Sequence, residues 1–240
     1  MNLILDVGNT SIKCAVFDLN NVLVFKKTVA KISPDLLRKW VTAYAIKNAI
    51  LSTVAAVDRD CIRFLKRATT FLLMNYKTRI PIKNKYKTPK TLGMDRLANV
   101  VGAAFLFPRK NCLIIDAGTC IKFDFIAESG HYMGGSIAPG IMMRYAALHH
   151  FTAKLPLVKI QATGALIGQD THSSIVSGVQ NGTYAEIAGL IQQYKNKYGK
   201  IQVLITGGDA PLFVNRIKRP IFAAPDLTCI GLNQIVHYNN

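Results

Sequence analysis

The segment Asp6-Val-Gly-Asn-Thr-Ser-Ile-Lys13 returns one residue shorter as Asp116-Ala-Gly-Thr-Cys-Ile-Lys122. Each copy ends an apolar run, residues 3–7 and 111–115, and leads into a second strand-like run, residues 11–17 and 120–127. A third run follows in both places, at residues 22–29 and 131–138. Asn20-Asn21 and Glu128-Ser129-Gly130 supply the turns before those third runs. A repeated strand-turn-strand unit followed by helices confines the chain to a duplicated α/β architecture. Strands alternating with helices make a mixed sheet covered by helices. Two similar lobes are expected, residues 1–107 and 108–240.

Between the repeats the signals are local. Ser33-Pro34 opens a helix to about residue 45, because serine caps the free N–H groups and proline suits the first turn. A strand at 49–54, a helix at 58–68 and a strand at 70–75 follow. The basic, proline-containing stretch 77–90 reads as loop or extended chain, and 94–107 as a helix stopped by Pro108. After the second repeat, helices are expected at 140–149 and 170–198, a strand at 201–205, and two more short elements to finish. The Met142-Met143 pair is expected in a helix core. The five histidines have no metal-ligand spacing and are expected at surfaces or interfaces.

Composition narrows the functional classes. Half of the 240 residues are hydrophobic, too many for a disordered chain, and enough to suggest an oligomer. The net charge of +17 attracts polyanions, a nucleotide triphosphate or a nucleic acid, or else is a solvated basic face. Its densest stretch, Lys77 to Lys90, has only Tyr76 and Tyr86 for base stacking, and no zinc-finger or RNA-binding motif occurs, so no specific nucleic acid is expected. The cysteine count is odd and contains no Cys-x-x-Cys, which suits free thiols in a reducing compartment. Asp6 interrupts the first apolar run too early for a secretory signal, and no run of about 18 apolar residues exists, so a cytoplasmic protein without a membrane span is expected.

The repeated hairpin has phosphate-binding chemistry. Gly8 permits a tight turn and close approach of a ligand, and backbone N–H groups in such turns face anions. Asn9 and Thr10 add donors, Asp6 suits Mg²⁺ held directly or through water, and Lys13 neutralises phosphate charge. Two such hairpins facing each other across a cleft would grip a triphosphate. P-loop and dinucleotide-fold fingerprints are absent. Glycines at 134–140 and 206–209 sit at strand ends, where a ligand can approach a helix N-terminus. At Gly93-Met94-Asp95-Arg96 a carboxylate and a guanidinium open a helix, suited to accepting a proton and binding a polar substrate.

In this order, Asp6-x-Gly-Asn-Thr-x-x-Lys13, Gly93-x-Asp-Arg96, Asp116-x-Gly-Thr119, Gly134-Gly-x-Ile-x-Pro-Gly140 and Thr206-Gly-Gly208 resemble the motif series of type III pantothenate kinases over essentially the whole chain. The resemblance implies a ribonuclease H-like, actin-like ATPase fold with ATP in the inter-lobe cleft. It implies ATP-dependent phosphorylation of the primary hydroxyl of pantothenate to 4′-phosphopantothenate, the first step of coenzyme A biosynthesis. It further implies a cytoplasmic homodimer using Mg²⁺ and a monovalent cation, K⁺ or NH₄⁺. By position, Asp6, Val7, Gly8, Asn9, Thr10, Ser11, Ile12 and Lys13 would wrap the ATP phosphates, and Thr119 would touch ATP. Asp95 would be the catalytic base, with Tyr86, Gly93, Met94, Asp95 and Arg96 lining the pantothenate pocket. Thr171 would reach pantothenate from the partner subunit, Asp116 would bind the monovalent cation, and Asp6 would hold Mg²⁺ indirectly.

One departure stands out. The family often has small or hydroxyl residues after Asp-x-Gly-Thr, whereas this chain reads Thr119-Cys120-Ile121-Lys122. Lys122 either supplies a phosphate contact or partly replaces the monovalent cation; with Asp116 kept, the cation site is expected to survive. Two rival readings are a same-fold kinase for a sugar or acetate, set apart by Gly93-x-Asp-Arg96, and a non-enzymatic regulator, in which intact Asp6, Asp95 and Asp116 would be idle.

Overall fold

Leu3, Ile4 and Leu5 are fully buried in β1 (Asn2–Val7), a central strand with partners on both edges, which is why the run is apolar without alternation. The computed structural model describes residues 1–8, 10–161, 165–214, 216–217 and 220–240. They form two compact units: Met1–Pro108 with Gly130–Met133 and Asp226–Asn240, and Arg109–Ser129 with Gly134–Pro225. The first break falls beside the expected boundary at 107, but residues 130–133 and 226–240 group with the first unit, so a single cut does not describe the chain.

In the first unit, β1 pairs antiparallel with β2 (Ile12–Phe17), which pairs antiparallel with β3 (Leu23–Val29). Asp18 shapes the β2–β3 turn: its carboxylate accepts from the N–H groups of Asn20 and Val22, and Asn21 takes a positive φ of 64°. Helix α1 (Pro34–Ala43) starts as expected, the Ser33 hydroxyl accepting from Leu36 N–H. Then come β4 (Asn48–Thr53), parallel to β1, α2 (Arg59–Ala68) and β5 (Thr70–Leu73), parallel to β4. The basic stretch contains only the two-residue β6 (Lys83–Asn84) and a 3-10 turn at Pro89–Thr91 before α3 (Met94–Leu106).

The second unit begins with β7 (Cys112–Ala117), β8 (Cys120–Ile126) and β9 (His131–Pro139), whose opening residues belong to the first unit and pair with β6 there. Helices α4 (Ile141–His150) and α5 (Thr171–Tyr198) follow, then β10 (Gln202–Thr206), the one-turn α6 (Ala210–Val214) and β11 (Phe222–Ala223). Asp170 and Ser173 form a capping box at the start of α5, and Gly199 (φ 70°) ends it. Met142 and Met143 are 42% and 43% exposed, not core: Ile141 and Tyr145 take the buried side of α4.

The strand order β3-β2-β1-β4-β5 of the first sheet recurs as β9-β8-β7-β10-β11 in the six-stranded second sheet, where β6 is added beside β9, so the repeat extends from motif to topology. Asp6 faces Lys13 and Val7 faces Ile12; Asp116 faces Lys122 and Ala117 faces Ile121. The missing residue of the second copy therefore falls in the hairpin loop, and the Asp–Lys register survives it.

The chain ends in α7 (Leu227–Asn239), a 13-residue helix where only short elements are expected from sequence. It buries Leu227, Cys229, Leu232, Ile235 and Val236 along with Gly231 and Asn233, so it has no polar stripe to give a helical period. It lies against α3 within the first unit at two glycines. A Cβ on Gly102 would come 2.6 Å from the Leu227 carbonyl oxygen, and one on Gly231 would come 1.8 Å from that of Ala98.

Candidate active site

The first hairpin closes on a backbone bond, Gly8 N–H to the Ser11 carbonyl at 3.1 Å, and a Cβ at Gly8 would press on that oxygen. Val7 and Ile12 are buried and anchor the turn, while Thr10 is exposed and Asp6, Ser11 and Lys13 are half-buried. Asn9 lies outside the described residues. The turn lines a hollow of about 200 Å³ with Lys31, Ala55, Ala56 and Asp58, closer to the size of a phosphate group than of a nucleoside.

Along the same unit, α3 begins at Gly93, which offers no capping side chain. A Cβ there would stand 2.5 Å from Asp95 Oδ1 and 3.8 Å from Arg96 Cδ. The glycine thus leaves room for a carboxylate folded back over the positive end of the helix. Arg96 is 4% exposed, with its guanidinium carbon 5.6 Å from the centre of the Tyr86 ring. Tyr86 in turn lies parallel to fully buried Tyr132, centroids 6.1 Å apart and planes 4° from parallel. The loop carrying Tyr86 is pinned by Lys83 N–H to Gly130 O and Lys85 N–H to Tyr132 O. Tyr86, Gly93, Asp95 and Arg96 are therefore brought together, with half-buried Met94 between them in sequence. Tyr132 went unseen in the sequence, because a tyrosine in a strand gives no sign of what it backs.

In the second unit, Lys122 Nζ sits 2.8 Å from Asp116 Oδ2, with side chains 20% and 16% exposed. The next loop is clamped by glycine backbone. Gly140 N–H donates to Thr119 O at 3.1 Å, and a Cβ on Gly140 would come 2.2 Å from Gly118 O. Gly207 (φ 95°) has Ala117 O at 2.1 Å from its would-be Cβ, and Asp209 N–H donates to the same oxygen. Gly140 and Gly207 thus make room for the hairpin backbone, where the sequence suggested room for a ligand. Thr119 is left exposed at the loop tip. Burial pushes the nearby Asp209 carboxyl up.

Thr171 is elsewhere in this unit, exposed at the first turn of α5. Asp170 caps that turn, and the hydrogen bonds from the Ser173 backbone and hydroxyl hold its carboxyl below the usual range. Thr171 lines an open groove of about 1050 Å³ between α4 and α5, together with Arg144, Leu148, Phe151 and Ile175. Phe151 is 81% exposed, and Leu166 and Ile167, just ahead of Gly168, are 80% and 76% exposed. None of the Asp116 hairpin lines that groove.

Among the described residues no cluster of three or more His, Cys, Asp or Glu could hold a metal ion, and no helix is long and apolar enough to cross a membrane. All five cysteines are free.

The family model and the sequence relatives agree on one family. The family model described as type III pantothenate kinase matches residues 2–193. A type III pantothenate kinase of Cytophaga hutchinsonii is 45% identical over 239 residues, covering all of both chains. One from Bacteroides fragilis is 41% identical over 242 residues, covering 100% of this chain and 99% of its own. Among solved structures, the activator of 2-hydroxyisocaproyl-CoA dehydratase from Clostridium difficile, with bound ADPNP, has a TM-score of 0.53 at 13% identity and covers 99% of this chain and 93% of its own. A glucokinase from an Antarctic psychrotroph has a TM-score of 0.52 at 13% identity, with 99% and 98% covered. At that identity the likeness is one of fold, the two-lobe α/β fold of actin-like ATPases and sugar kinases.

Proposed function

The chain belongs to the type III pantothenate kinase family, and from that premise we propose how its own residues perform the reaction. The protein is a kinase that uses ATP to phosphorylate pantothenate in coenzyme A biosynthesis. The acceptor is the primary hydroxyl, and the product is 4′-phosphopantothenate.

The observation that carries the assignment of roles is the grouping of Asp95, Gly93, Arg96 and Tyr86 in one unit. Asp95 orients the hydroxyl of pantothenate and accepts its proton as the new P–O bond forms. Arg96, fixed against Tyr86, binds the polar acceptor, and Met94 supplies apolar wall. Residues 6–13 hold the phosphates through the turn backbone, Thr10 and Ser11, with Lys13 facing the charge on the transferring oxygens, and Thr119 touches the nucleotide. Phosphoryl transfer asks the protein mainly for alignment and charge stabilisation.

Mg²⁺ fits this residue set. It commonly binds through one or two carboxylates plus substrate phosphates, which suits half-buried Asp6 in the strand leading into the turn. When bound, the ion neutralises phosphate charge. Asp116, to which the family resemblance assigns K⁺ or NH₄⁺, is already ion-paired to Lys122, and that pair does not fit a free monovalent cation.

A homodimer is part of the reading. The apolar groove beside Thr171 is covered by a second copy, which brings Thr171 to the partner's pantothenate. The setting is cytoplasmic, in line with free thiols.

A coupled ADP-release assay tests the reaction. ADP is expected only when pantothenate and Mg·ATP are both present; release that is indifferent to pantothenate would overturn the assignment. Sedimentation tests the dimer, and a monomer at assay concentration would remove Thr171 from the site.

A further inference from the structure

We propose that the Lys122 ammonium is a built-in monovalent cation at Asp116, so that this chain binds nucleotide and turns over without K⁺ or NH₄⁺. The inference rests on the kinase reading above and replaces the expectation that the cation site survives.

The geometry is specific. Lys122 and Asp116 are register partners across β7 and β8, and Nζ lies 2.8 Å from Oδ2. Both backbones are held firmly. Asp116 sits between buried Ile115 and Ala117, and Lys122 between buried Ile121 and Phe123. Strand alternation then sends both charged side chains to the opposite face from those apolar neighbours. With about four-fifths of each charged side chain covered, the pair is shielded from the screening that weakens exposed ion pairs.

Chemically, a lysine ammonium is an alkylated ammonium ion. It delivers one positive charge and N–H donors to the oxygens that a free NH₄⁺ would contact. A second monocation at the same carboxylate is opposed by the first. Two unit charges about 4 Å apart disfavour each other by about fivefold in water and by roughly a thousandfold at an effective dielectric of 20. Tethering also removes the dependence on ion concentration, since the charge is already in place when nucleotide arrives. A cross-strand pair serving the sheet alone would have the same geometry. Salt dependence separates the two roles.

The test measures the affinity of a non-hydrolysable ATP analogue with Mg²⁺ by calorimetry, and pantothenate-dependent ADP release. Both are run with tetramethylammonium as the sole monovalent cation and again with saturating K⁺ or NH₄⁺. The wild-type protein is expected to change by less than about twofold between salts. Lys122→Met and Lys122→Thr are expected to lose about tenfold or more in analogue affinity without K⁺, and to regain it when K⁺ or NH₄⁺ is added. A wild type that needs K⁺ overturns the proposal, and so do folded variants indifferent to K⁺. Should neither variant fold, the wild-type titration still tests the claim of K⁺-independent binding and turnover: a response to K⁺ overturns the proposal, and no response upholds that claim. Absent turnover in every salt would count against the kinase reading, while analogue affinity still reports on Lys122.

Discussion

Gly93 leaves open the space beside the Asp95 carboxylate: a Cβ at residue 93 would stand 2.5 Å from Oδ1. The obstacle is the end of a side chain, so Gly93→Ala should fold and displace the carboxylate rather than the helix. We expect kcat to fall about tenfold or more, because small misplacements of a reacting group are costly. The circular dichroism spectrum should be unchanged. Full activity in Gly93→Ala would show that the position of Asp95 is not critical.

Asp95→Asn keeps the shape and removes the proton acceptor. A positioned general base contributes about 10²–10⁴-fold, so kcat should drop by that order while the affinity for an ATP analogue stays within about twofold. Activity within about threefold of wild type would remove Asp95 from the base role.

The Arg96 guanidinium carbon lies 5.6 Å from the centre of the Tyr86 ring, itself backed by Tyr132. A flat guanidinium stacks where a lysine ammonium cannot. Arg96→Lys and Tyr86→Leu should each raise the KM for pantothenate by about tenfold, leaving the KM for ATP nearly constant. Equal rises in both constants would mean that these residues support the fold rather than the acceptor.

At the α3–α7 crossing, Gly231→Ala places a methyl group 1.8 Å from the Ala98 carbonyl oxygen. Backbone on both sides must part, at a cost of about 1–3 kcal/mol or more. Thermal melting should show a midpoint lower by several degrees, at about 2–4 °C per kcal/mol for a chain of this size. An unchanged midpoint would mean that the two helices separate easily.

Burial pushes the Cys14 and Cys229 thiols up to about 12 from 9.0. Native protein at pH 8 should therefore resist alkylation at both, whereas half-buried Cys120 reacts first. The sign of the pH effect follows. Unfolded thiols ionise near 9 and folded ones near 12, so their contribution to stability is complete below pH 9 and is lost as pH rises from 9 to 12. Stability from urea titrations should fall across that window; in Cys14→Ala the fall should be shallower.

The repeat of Asp6 to Lys13 at Asp116 to Lys122 was legible because it is local: each hairpin is written in contiguous residues, and its register follows from strand pairing across one short loop. The caps at Ser33 and Asp170 were equally plain, since capping is settled within four residues. What lay beyond reach were relations between distant segments. Helix α7 carries no polar stripe, because both its faces are buried by elements more than a hundred residues earlier in the chain. Tyr132 behind Tyr86 depends on a two-residue ladder between β6 and β9. Gly140 and Gly207 read alike as ligand-binding turns, yet packing gives their missing side chains to the backbone of residues 117–119. Composition and spacing by themselves determined the duplicated α/β plan and the residue types able to hold phosphate and accept a proton. Tertiary structure alone decided which of those residues meet, and that Asp116 meets Lys122, because burial and close approach belong to chain segments far apart in sequence.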